Sequence, residues 1–413
     1  TELVAERNHD MSECRIMKEA DLPLETVILL IAGMMLLISG VLLFPVSAGA
    51  LPYYENGLYG LLLIMFALQM ITLGKTPAGD MRRSIPLLSL GVLIAAMGIV
   101  TCFIPGILGR IPRLLLFLCF GPGGLLLLLR MCLAKDKLNT WLKYEGIFRH
   151  LIFACGAVYG LSMLIGLLVW QHGLPPTRLT AVAALLFGAA LIYLAGVLRT
   201  IYGEYPDAGK PRAGGVELST DTAMILLMGT FMLLLGVLLI PVSLGLLPFS
   251  GSAQLGLLMV IFAVQMLATG STPIGPFPRS LLMVLFGLLF AALGIVSCVI
   301  PEILVAPLTV LVGVLNILGG VITLWKICIP RLRKSGETGG PVSLLLGKLF
   351  AAQLTMNLLT ILFGVSMLVS QLIPGLVIGV VLAANGCVLL YLLYILTLLE
   401  KMRRDAEALQ GVR

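Results

Sequence analysis

Leu68–Ser84 reads LQMITLGKTPAGDMRRS, and Val264–Ser280 reads VQMLATGSTPIGPFPRS. Gln, Met, Gly, Thr-Pro, Gly and Arg-Ser return in the same order 196 residues later. At that offset, residues 27–108 and 223–304 share 38 identities in 82 positions without a gap. Pro45-Val46-Ser47 meets Pro241-Val242-Ser243, Gly98-Ile99-Val100 meets Gly294-Ile295-Val296, and Cys102 meets Cys298. A repeat this long makes the repeated unit the thing to interpret, ahead of any single motif.

Both copies of the stretch sit between long apolar runs. Hydrophobic residues make up 59% of the chain, charged residues 11%, and the mean hydropathy is +1.09. A soluble domain carries about 25% charge. Crossing the hydrocarbon core takes about 20 apolar residues. Such runs occur at roughly 26–44, 58–74, 85–104, 113–133, 147–170, 178–201, 222–240, 253–270, 280–300, 304–328, 343–372 and 375–399. A backbone in lipid must satisfy its own hydrogen bonds, so each run is expected to be a helix. The alternation of a β-barrel strand is missing from them. The expected fold is all-α, with about twelve transmembrane helices in two parallel six-helix repeats.

The expected division is a polar tail at 1–25, a first six-helix module at 26–202 and a linker at 203–221. A second module at 222–400 and a tail at 401–413 follow. With twelve spans both tails share a side, which also takes 24 of the 27 basic residues; only Arg110, Arg113 and Arg178 fall opposite. Cytoplasmic loops collect Lys and Arg, so both termini are expected in the cytoplasm. The net charge of +7 then reflects topology, and nucleic acid is excluded as a partner. Membrane lipids are the expected surroundings, with self-association or other membrane proteins as further partners.

Glycine is spaced regularly within each half. Gly33, Gly40 and Pro45 are echoed by Gly91, Gly98 and Pro105, and again in the second half by Gly229, Gly236 and Pro241 and by Gly287, Gly294 and Pro301. Seven residues are nearly two helical turns, so each Gly pair shares a face. Small residues on one face let helices approach closely in lipid. Each module is accordingly expected as three helical hairpins, the first starting at Gly33 and the second at Gly91. The Pro is expected to end its helix at the outer surface.

These hairpins, Gly-rich apolar helices and Pro-broken outer turns resemble the HdeD family of bacterial inner-membrane proteins, linked to acid resistance. Its members have six spans, so the chain resembles two of them in tandem over most of residues 26–400. The resemblance implies a stress-related protein of the bacterial inner membrane without catalytic residues, and therefore no enzyme. A rival likeness is to the major facilitator transporters. GKTPAGDMRRS is similar to their loop between spans two and three, but the second Gly-Arg element of that motif is missing. That rival implies transport of a small or amphipathic solute. A scaffold subunit of a membrane complex is the third reading.

The sequence offers no catalytic constellation. The expected spans carry no ionisable residue near their middle, where carriers coupled to ions usually keep one. No paired carboxylates, Walker loop, GxSxG or HExxH motif occurs. The eight Cys lack metal spacing, so no metal and no cofactor is expected. GPGG at 121–124 lies in an apolar run and reads as a kink or close-packing point.

Polar candidates remain. Gln69 and Gln265 hold equivalent positions near the ends of their helices; they either face a shared cavity or join neighbouring helices by hydrogen bonds. Asn316, Asn357, Asn385 and Gln353 fall in the second half without obvious partners in the first. In the repeated stretch, Gly74 and Gly270 are expected to stop their helices. Thr76-Pro77-x-Gly79 and Thr272-Pro273-x-Gly275 should form compact turns, with Ser84 and Ser280 as N-caps. Thr76, Arg83, Thr272 and Arg279 have a functional reading as an anion or lipid-phosphate site. They have a structural one as a well-built turn.

Overall fold

The computed structural model describes residues 22–77, 79–81, 83–133, 146–172, 177–205, 220–272, 275–276, 280–333, 341–369 and 374–411. Among them, twelve helices are long and apolar enough to span a membrane. The first six are α1 (Leu24–Ser47), α2 (Glu55–Leu73), α3 (Ile85–Phe103), α4 (Ile111–Leu133), α5 (Ile147–His172) and α6 (Arg178–Glu204). Then come α7 (Thr220–Ser243), α8 (Gly251–Thr269), α9 (Leu281–Val299), α10 (Val305–Arg333), α11 (Pro341–Leu368) and α12 (Gly375–Gly411). The protein is an all-α, multi-pass membrane protein. Strand structure among the described residues is confined to two tiny ladders: β1 (Lys75–Thr76) with β2 (Gly79–Asp80), and β3 (Ser271–Thr272) with β4 (Gly275–Pro276).

Both ladders fall in the repeated stretch. Gly74 (φ 66°) and Gly270 (φ 72°) end α2 and α8 in the left-handed conformation, which glycine adopts without a Cβ penalty. Lys75 pairs with Asp80 and Thr76 with Gly79. The Met81 amide donates to the Gly74 carbonyl (2.9 Å), and Thr76 Oγ1 donates to the Gly79 carbonyl (2.7 Å). Ser84 Oγ accepts from the Leu87 amide (3.4 Å) and Ser280 Oγ from the Met283 amide (3.3 Å). The stretch is thus helix stop, turn and helix start in one, twice.

The chain divides into two compact units. The larger holds α1–α6 together with α8 and α9. In it, α1 packs along α6, α2 along α3, α4 along α5, and α8 along α9. Close pairing is therefore offset by one helix from the hairpins expected at Gly33 and Gly91. The glycines explain the shift. Gly33 and Gly40 face α6: a Cβ on Gly33 would lie 3.0 Å from the Gly188 carbonyl oxygen, and one on Gly40 3.0 Å from that of Ala181. On α2 and α3, a Cβ on Gly60 would lie 2.6 Å from the Gly98 oxygen, and one on Gly98 2.9 Å from the Gly60 oxygen. Gly256 and Gly294 repeat this reciprocal contact between α8 and α9, at 2.5 Å each way. The GPGG of α4 is a close-packing point, since a Cβ on Gly124 would lie 3.0 Å from Ser162 Oγ of α5.

The second helix of each repeat is central. Helices α2 and α8 bury 78% and 89% of their spans, whereas the other spans bury at most half. Around them the repeat shows as symmetric contacts. The Tyr54 amide donates to the Val299 carbonyl and the Ser250 amide to the Phe103 carbonyl, each at 2.9 Å. Residues 54 and 250, and 103 and 299, stand 196 apart. The fully buried thiols of Cys102 and Cys298 share one acceptor, the Ala253 carbonyl oxygen, at 3.8 and 3.5 Å.

The smaller unit holds α7, most of α10, α11 and α12. Glycine again sets the contacts. A Cβ on Gly236 of α7 would lie 2.6 Å from the Gly379 oxygen of α12, and one on Gly364 of α11 2.7 Å from the Gly313 oxygen of α10. Pro45 and Pro241 do not end their helices, which run on to Ser47 and Ser243. A proline near the helix end removes a single backbone bond, the one its missing N–H would make to the carbonyl four residues back, so the last turn can still form. Helix α12 continues past the expected end at 400 to Gly411. Residues 400–410 contain neither Gly nor Pro to stop it.

Candidate functional site

Within the larger unit, α1, α2, α4, α5 and α6 line a cavity of about 330 Å³, which the first Thr-Pro turn lines at one end. Its character changes along its length. At the turn end stand Glu25, Gln69, Lys75 and Thr76. Deeper lie Phe66 of α2, Phe120 of α4 and Phe187 of α6, with Met35 and Leu36 of α1. The rings interlock edge to face, Phe66 to Phe120 at 5.0 Å and Phe120 to Phe187 at 5.8 Å between centroids. Such T-shaped pairs are the favoured aromatic geometry.

The turn end is built around one carboxylate. Glu25, in the first turn of α1, accepts from Lys75 Nζ on Oε1 and from Tyr202 Oη on Oε2 (2.6 Å). Lys75 owes its place to the β1–β2 ladder, and Tyr202 to the last turn of α6. The Lys75 ammonium keeps two further N–H donors and is 37% exposed, against 14% for Glu25. Beyond Gly79, another wall residue, lies the Arg130 guanidinium from the last turn of α4. A Cβ at 79 would collide with it, and φ +114° at this position also demands glycine. Arg130 makes no ion pair among the described residues.

The structure separates the residues singled out in the sequence. Gln69 and Thr76 both line the cavity. The Gln69 amide has no hydrogen bond among the described residues, whereas the Thr76 hydroxyl is used to close its own turn. Arg83 follows the turn without reaching the cavity wall; partial burial lowers its pKa from the ordinary arginine value. Gln265 lies on α8, away from the cavity wall, and Thr272 in β3. Arg279 falls outside the described residues. Asn316, in the smaller unit, is buried and donates to the Val312 carbonyl of its own helix (2.8 Å). Asn357 does likewise to Gln353 (2.7 Å). Asn385 keeps a buried carbonyl oxygen without a partner in the described residues.

Glu25, Lys75, Arg130 and the three phenylalanines escaped sequence reasoning. A signal for the first two existed in the repeat itself. At the 196-residue offset Glu25 becomes Asp221, but Lys75 becomes Ser271. The ion pair cannot form in the second copy, so the repeat has diverged at the turn end of the cavity.

Fold and site together define a multi-pass α-helical membrane protein with an amphipathic cavity inside its first six helices. Compared with protein-family models, curated proteins and solved structures, the chain matches none of them.

Proposed function

We propose that the protein binds a small amphipathic solute in the cavity of its first six helices and acts as a carrier for it, without enzymatic chemistry. The observation that carries this reading is the polarity gradient of the cavity, from Lys75, Glu25 and Gln69 to Phe66, Phe120 and Phe187. Ligand sites are typically concave, mostly apolar and equipped with a few placed polar groups. Among the described wall residues the one carboxylate, Glu25, is already held by Lys75 and Tyr202. The 24-to-3 division of basic residues supports an orientation with both termini cytoplasmic, and the bacterial inner membrane is the setting that the HdeD resemblance implies. The resemblance to the HdeD family adds a stress-linked setting. Of the three roles open at the level of sequence, the cavity favours the carrier.

The test is to purify the protein without detergent, in polymer discs that retain native lipid, and to identify co-purifying small molecules by mass spectrometry. A Leu191→Trp variant, which fills the cavity from α6, is the comparison. An amphiphile enriched in the parent and lost from a folded variant is expected. Identical contents in both would end the reading.

A further inference from the structure

Four features of the cavity narrow the class of its occupant. The first is charge. Among the described side chains, the turn end of the wall carries Lys75 and Glu25, and the Arg130 guanidinium, itself outside the wall, lies against the wall residue Gly79, which makes two cations near one anion. Glu25 has both oxygens engaged, while Lys75 retains two donors and Arg130 its whole guanidinium. A cationic head would have to displace Lys75 from Glu25, whereas an anionic head adds to it without breaking a bond. The second is the Gln69 amide, which lines the cavity and is uncommitted. Its NH₂ can donate to the same anion.

The third feature is the run of apolar wall leading away from these groups. Phe120 precedes Arg130 by ten residues on α4, and Met35 follows Glu25 by ten on α1. At 1.5 Å per residue, each separation is about 15 Å along the helix. The fourth is size. At about 330 Å³ the cavity stands at the low end of the range of about 300–1,000 Å³ for ligand pockets. That suits one short chain better than a two-chain lipid.

Resting on the cavity-binding reading above, we propose that the occupant is a single-chain amphiphile with an anionic head of the carboxylate type. The head is held by Lys75, Arg130 and Gln69, and the chain lies against Phe66, Phe120 and Phe187. The anion would be held through charge-assisted hydrogen bonds, which are shorter and roughly twice as strong as neutral ones.

The experiment uses the full chain in native-lipid polymer discs and three photoactivatable probes. They are dodecanoic acid, dodecanol and dodecylamine, each bearing a diazirine near the chain end. Labelled peptides are mapped by mass spectrometry, and labelling of the exposed outer face of α3 (Leu90, Leu93) serves as the internal measure of probe in the lipid. The acid is expected to label the cavity segments around Met35 and Phe120 about tenfold more than the alcohol or the amine, relative to that face. Arg130→Gln, which breaks no ion pair, and Lys75→Gln should each lower acid labelling by about tenfold. Glu25→Gln, which frees Lys75, should raise it. None of the three should change labelling by the alcohol. Alcohol or amine labelling the cavity as strongly as the acid would overturn the headgroup assignment while leaving cavity binding intact. So would Arg130→Gln and Lys75→Gln variants that label like the parent. Absence of cavity labelling by all three probes would overturn both.

Discussion

Gly60 and Gly196 answer the same substitution in opposite ways. A methyl group on Gly60 would stand 2.6 Å from the Gly98 carbonyl oxygen, a backbone atom that cannot turn aside. Gly256 meets Gly294 in the same way at 2.5 Å. Gly196, on the exposed face of α6, has nothing within 4 Å of a new Cβ. Gly60→Ala and Gly256→Ala should therefore each destabilise by about 1–3 kcal/mol, the usual range for overpacking. Gly196→Ala should be neutral or stabilising by up to about 1 kcal/mol, since Ala is the better helix former. Thermal unfolding in one detergent separates the two groups; equal melting of all three variants would show that the Gly60 and Gly256 contacts are loose. The paired Gln residues permit a second prediction. Gln69 lines the cavity and Gln265 does not, so Gln69→Leu and Gln265→Leu should add within roughly 0.5 kcal/mol. Coupling above about 1 kcal/mol in the double-mutant cycle would mean that the two share a site after all.

At the scale of elements, the repeated stretch is mainly a joint. Gly74 and Gly270 stop one helix, the Thr-Pro turn reverses the chain, and Ser84 and Ser280 start the next. Ser84→Ala and Ser280→Ala should each cost about 1 kcal/mol, while Ser84→Asp should keep the cap. A free loss of either hydroxyl, judged by denaturation midpoint, would contradict that role. All of this was legible in the sequence, because stop, turn and cap are local and each needs a particular residue type. The twelve spans were legible for a similar reason, since lipid requires an unbroken apolar run. The partners of the helices were not. Spacing shows that Gly33 and Gly40 share a face, but nothing local says that the face meets α6 in preference to α2. The cavity was less legible still: Phe66, Phe120 and Phe187 come from three helices, and Glu25 meets Lys75 across 50 residues. Only the loss of Lys at position 271 hinted that the first copy holds something the second lacks.

On the scale of the whole molecule, two sequence copies and two compact units do not coincide. Helices α8 and α9 belong by sequence to the second copy and by packing to the larger unit. The symmetric bonds from Tyr54 and Ser250 lie where α2 and α3 meet α8 and α9. That contact centres the larger unit on the most buried helices. The proposed orientation gives a direct prediction at this scale. Reporters fused after Gln171 and Ser250 should read as periplasmic, and reporters after Lys137 and Ser335 as cytoplasmic; any exchange between the two sets would break the twelve-span topology. The central claim, that the first six helices enclose a ligand, is tested most directly by cryo-electron microscopy of the protein in native-lipid discs. The account predicts an elongated density between Phe66, Phe120 and Phe187, with one end against Lys75. A collapsed cavity in which those side chains close over empty space, with no density at Lys75, would contradict it.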